Sequence, residues 1–114
     1  MNLDSLLAGL TRIHGVRGAL VVSREDGLVV ADALMDNVDG VAVAALAASL
    51  SGRMAGVTEA LGQPPPLTWQ LQGSEGMLLA APAGADLLVV AVATPEVNGG
   101  ELRLGVLRAA RQAA

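Results

Sequence analysis

"GALVVSREDGLVVADA", residues Gly18 to Ala33, sets two aliphatic runs around Glu25-Asp26-Gly27. Ala19-Leu20-Val21-Val22 and Leu28-Val29-Val30-Ala31 are short β-type runs. Asp-Gly between such runs is a strong hairpin signal, because glycine takes a positive φ without steric cost. The stretch predicts two antiparallel strands and their turn, and the other elements are placed around it.

Upstream, Leu3, Leu6, Leu7, Leu10 and Ile13 recur at helical spacing, with Asn2 as N-cap and Gly15 as stop. Downstream, Asp32 to Asp39 reads as a polar loop before a long helix, roughly Asp39 to Leu61. At 100° per residue, Val43, Leu46, Leu50, Met54, Val57 and Leu61 share one arc of about 80°. These large side chains are expected to face a sheet. The opposite side holds Ala44, Ala45, Ala48, Ser51, Gly52, Ala55 and Gly56, with almost no charge before Glu59. A solvated face carries charged residues, so this bland one is expected to be covered.

Gln63-Pro64-Pro65-Pro66 ends the helix and forces an extended connector. Leu67-Thr68-Trp69-Gln70-Leu71-Gln72 alternates as a half-buried strand does. Met77 to Ala81 and Leu87 to Ala93 read as buried strands, the second central in the sheet. Asn98-Gly99-Gly100-Glu101 resembles a capping box and opens a final helix reaching about Gln112. The order α-β-β-α-β-β-β-α predicts an α+β domain. A five-stranded antiparallel sheet would lie between one long helix and the two terminal helices. No repeat or linker divides the chain, so residues 1–114 are expected to form a single domain.

Composition excludes several functions. The 114 residues contain no Cys, which removes disulfides, thiolate metal sites and thiol nucleophiles. There is no Lys, so a P-loop cannot be built. One Trp, no Phe and no Tyr leave almost nothing for base stacking. A net charge of −4 disfavours nucleic acid and anionic membranes as partners. The start Met1-Asn2-Leu3-Asp4 does not read as a signal peptide, and no uncharged run reaches the length of a membrane span. A cytoplasmic protein is expected. Seven Arg without Lys, among abundant Ala, Gly and Val, suggest GC-rich coding and a bacterial source.

The chemistry-bearing residues are few. His14 is the only His and ends the first helix, where a cation suits the dipole. Asp32, Asp36 and Asp39 lack the alternate ligand spacing and terminal Glu of a calcium loop. Glu25 and Asp26 are neighbours in a hairpin tip, not carboxylates facing across a cleft. Asn98-Gly99-Gly100 could hold an anion at a helix start, but capping is the plainer account. Arg103, Arg108 and Arg111 read as a solvated face, and nothing beyond residue type marks Arg24 or Arg53 as an arginine finger. No catalytic, cofactor-binding or metal-binding residues emerge, and a non-enzymatic protein is expected.

Contact remains. Ala44, Ala48, Gly52 and Gly56 repeat every four residues and would let another backbone approach closely. If Leu67 to Gln72 is an edge strand, it must be protected or paired. Pairing with its own copy about a two-fold axis would join two sheets and bring the long helices together.

The chain resembles the Roadblock/LC7 domain family. The resemblance rests on the opening helix, on "VRGALVVSREDGLVVADA", on the Ala-rich long helix and on "MLLAAPAGADLLVVAVATPEVNGGELRLGVLRAA". It spans essentially the whole chain and lies in element order and length rather than in a catalytic motif. It implies a profilin-like fold and a homodimer built through the long helix and the third strand. Carried onto this sequence, the dimer contacts would be Ala44, Ala48, Ser51, Gly52 and Ala55 on the helix. On the strand they would be Leu67, Thr68, Trp69, Gln70, Leu71 and Gln72. It also implies a Ras-like small GTPase as partner, with the chain modulating that enzyme's nucleotide cycle and needing no cofactor. The alternative is a dimerisation scaffold of a signalling or motility complex, indifferent to nucleotide. Near absence of aromatics and a short tail depart from the family pattern.

Overall fold

The computed structural model describes residues 2–35 and 37–114. Helix α1 spans Leu3–Thr11, strand β1 Val16–Ser23 and strand β2 Val29–Leu34. Helix α2 spans Gly40–Ala60. Strands β3, β4 and β5 span Trp69–Gln72, Met77–Ala83 and Leu87–Ala93, and helix α3 spans Gly99–Ala113. The order matches the sequence expectation. The polar loop is shorter than expected, because β2 continues through Asp32 to Leu34. Strand β3 starts two residues later than read, at Trp69.

The helix starts are set by side chains. Asn2 Oδ1 accepts from the N–H of Asp4 at 3.0 Å, and Asp39 Oδ1 from that of Ala42 at 3.1 Å. Asn98 Oδ1 accepts from the N–H of Glu101 at 3.0 Å. Each bond satisfies an amide that the helix cannot pair internally.

The strands form one antiparallel sheet in the order β2-β1-β5-β4-β3. β5 is central, as its unbroken aliphatic run requires: Val89 and Ala91 join the core on one face, Leu88 and Val90 that on the other. One face packs under α1 and α3, burying Leu7, Leu10, Leu102 and Val106. The other packs under α2, with Leu20, Val22, Leu88 and Val90 rising from the sheet. Strands β2 and β3 are the edges.

The β1–β2 hairpin is longer than a two-residue turn. Ser23 bonds Leu28, Gly27 N–H donates to Ser23 O, and Asp26 Oδ1 accepts from Leu28 N–H. Gly27 has φ +72°, and a Cβ there would stand 3.2 Å from Ala45 Cα. The tip therefore lies close against the α2 backbone, an approach and a positive φ that favour glycine at this position.

Candidate protein interface

The facing of α2 meets the sequence expectation only in part, the helix being turned by about a quarter turn. Ala44, Ala47 and Ser51 are its buried residues, and Ala48 packs against the same core. Leu46, Val57 and Leu61, expected on the sheet, are 62%, 56% and 67% exposed. Val43, Leu50 and Met54 lie between, half-buried against the core that includes Trp69. The physical reason is space. The sheet supplies Leu20, Val22, Leu88 and Val90, and the hairpin tip lies on the helix backbone at Ala45. Small side chains let the helix settle onto that surface, whereas large ones would lift it.

The expected interface residues therefore divide. Ala44, Ser51 and Trp69 are buried inside the isolated chain. Ala48, Ala55 and Thr68 are half-buried, while Gly52, Leu67, Gln70, Leu71 and Gln72 are exposed. Ala48 Cβ stands 3.5 Å from where a Gly27 Cβ would sit, so its neighbour is the hairpin tip.

What α2 leaves open are Leu46, Val57 and Leu61. Leu67, just before β3, and Leu71 within it are also 80% and 57% exposed. A groove of about 710 Å³ runs from Val43 across Leu78 and Val92 to Leu71, with Arg17, Asp39 and Glu75 at its margin. Strand β3 reads Trp-Gln-Leu-Gln and carries no charge. Sequence reasoning missed Leu46, Val57 and Leu61 as surface, although their size was the available signal.

The residues weighed for chemistry are scattered. His14, Glu25, Asp26 and Arg53 are exposed, and Asp36 lies outside the described residues. The Arg24 guanidinium donates to Gly84 O at 3.2 Å, and the backbone N–H of Arg24 donates to Asp86 O at 2.9 Å. Arg24 thus ties the hairpin tip to the β4–β5 turn. Among the described residues, no three His, Asp or Glu side chains gather to hold a metal ion.

The architecture is that of profilin. Profilin II of Acanthamoeba castellanii superposes with a TM-score of 0.65 over 96% of this chain and 91% of its own, at 14% identity, which shows the fold alone. The chain belongs to the Roadblock/LC7 domain family, whose profile matches residues 3–93. A Methanocaldococcus jannaschii relative, the uncharacterised protein MJ0714, is 35% identical over 108 residues, 95% of this chain and 90% of that protein. The solved structure described as MglB with tetrameric arrangement matches with a TM-score of 0.90 and 26% identity, covering 98% of this chain and 85% of its own.

Proposed function

We propose that the chain is a non-catalytic homodimeric regulator that binds a Ras-like small GTPase and modulates its nucleotide cycle. The observation that carries the reading is the apolar flank of α2 together with an uncharged open edge. Leu46, Val57, Leu61 and Leu71 are all more than half exposed in the isolated chain. Two β3 edges paired about a two-fold axis satisfy each other's backbone groups, and with no charge on the strand nothing repels. The same axis brings the α2 flanks together over the groove that reaches Leu71. Family membership and the likeness to MglB support a regulatory role. Regulation requires different affinity for the two nucleotide states of the GTPase, whose own residues do the chemistry.

The test has two parts. Light scattering gives the mass, expected at twice the 11.4 kDa of one chain. Affinity capture from native lysate is run with a GTP analogue and with GDP. A Ras-like GTPase retained in one state only is the expected result. Equal retention in both favours the scaffold, and no retained GTPase overturns the partner assignment.

A further inference from the structure

The second sheet edge, β2, has a different character and points to a different occupant. Its six residues, Val29–Leu34, extend about 20 Å. Among the described residues, no backbone hydrogen bond reaches this strand from outside the β1–β2 pairing. Protein edges are normally blunted by Lys, Pro, bulges or cover. This strand has no Lys and no Pro, and its pairing irregularity falls between Val21 and Val22, leaving Ala31 to Leu34 in regular register.

The edge is also apolar. Leu28, Val30 and Met35 are 63%, 50% and 52% exposed. Gly27 lies against Ala45, and Leu34 reaches Gly40, so β2 runs beside the first turns of α2. Val41, in the first turn of α2, is 77% exposed.

Charge decides the occupant. From Glu25 to Asp39 the sequence carries five carboxylates and no cation. Glu25, Asp26, Asp32 and Asp39 are all exposed. Two arginines lie nearby: Arg24 donates to Gly84 O beside Glu25 and Asp26 at the hairpin tip, and Arg17 lines the groove that also holds Asp39; Asp32, on β2 itself, lies in the groove of neither. A second copy pairing through β2 would set carboxylate against carboxylate, which is destabilising across strands. The chain's own Arg-bearing segment, α3, is folded into the core through Leu102 and Val106.

We propose that the free edge of β2 receives an extended basic segment of a partner protein, which adds to the sheet as a sixth strand. Main-chain bonds supply affinity. Alternate apolar side chains meet Val30, and arginine or lysine side chains meet Asp32 and the hairpin carboxylates. This binding differs from dimerisation, because β3 lies at the opposite edge of the sheet, and it holds whether or not the chain dimerises.

The probe is a short fluorescein-labelled peptide alternating arginine with valine, titrated into the full chain and followed by anisotropy. A matched peptide alternating glutamate with valine is the control. Amide hydrogen exchange then maps the bound peptide. The expected result is binding of the basic peptide alone, with amides of Val29–Leu34 newly protected. Asp32→Asn should weaken it several-fold and Asp32→Arg roughly tenfold or more. Equal binding of both peptides, no binding, or protection confined to Trp69–Gln72 overturns the proposal. The wild-type exchange map decides alone if either variant loses its circular dichroism.

Discussion

Replacing Leu46 and Leu71 together by Ser should convert the proposed dimer to monomer without unfolding it. Complete burial of a leucine side chain contributes about 1.5–3 kcal/mol. Leu46 is 62% and Leu71 57% exposed in the isolated chain, so somewhat more than half of that area is still available to a second copy. Each position then offers about 1–2 kcal/mol per chain. A two-fold axis counts every substitution twice, giving about 2–4 kcal/mol per position and roughly 4–8 for the pair. The dimer dissociation constant should rise by about a thousandfold or more, since each 1.4 kcal/mol is a factor of ten.

Sedimentation equilibrium over a range of concentrations reads that constant directly. Melting measured in parallel should lose its concentration dependence in the variant. Trp69 is 6% exposed and packs in its own chain's α2 core, so its emission should stay that of a buried indole after the copies separate. An unchanged dissociation constant with circular dichroism intact would refute the assignment of this flank to self-association. Ala48→Arg probes something else, because Ala48 abuts the hairpin tip at Gly27 and an arginine there disturbs the fold before any dimer.

Three further outcomes concern the fold that carries these surfaces. Gly27→Ala places a Cβ at φ +72° and 3.2 Å from Ala45 Cα, and should cost about 1–3 kcal/mol in a denaturant titration. Asn98→Ala removes the 3.0 Å bond to Glu101 N–H and should cost about 1 kcal/mol, while Asn98→Asp restores it, both read from thermal melts. Trp69 buries an indole N–H with no hydrogen-bond partner, so Trp69→Phe should shift stability by no more than about 1 kcal/mol, the lost area offset by removal of the orphaned donor. Trp69→Ala should cost about 3–5 kcal/mol in the same titration.

Local signals carried most of the fold. Asn2, Asp39 and Asn98 cap helices because a short polar side chain bonds the amides just after it, a relation confined to neighbouring residues. The span of β5 and its central place followed from a run with no polar face. Edges were less legible. Alternation begins at Leu67, but pairing starts where Trp69 meets Ala80, and Leu67 is left 80% exposed. The facing of α2 was illegible for a physical reason. A hydrophobic wheel finds the buried side by contrast with a charged one, and within Gly40–Ala60 only Arg53 and Glu59 are charged. A helix apolar all round could turn either flank to the sheet.

Close packing resolved that choice in a way that bears on function. The sheet and hairpin accept Ala44, Ala47 and Ser51, Val43, Leu50 and Met54 pack at the side, and Leu46, Val57 and Leu61 are left outside. The chain thus completes its own core and still presents Leu46, Val57 and Leu61 to whatever comes next. The two sheet edges then divide by charge. The edge at β3, which carries no charge, suits a copy of itself. The edge at β2, apolar but carrying Asp32 and the hairpin carboxylates Glu25 and Asp26, repels a copy and suits an unlike, basic strand. A domain with one self-compatible and one self-excluding edge can form a closed pair and still leave a free edge at each end. On this reasoning, neutralising the carboxylates around β2 should turn the free ends sticky toward one another and drive the dimer into longer assemblies, measurable as a rise in mass with concentration.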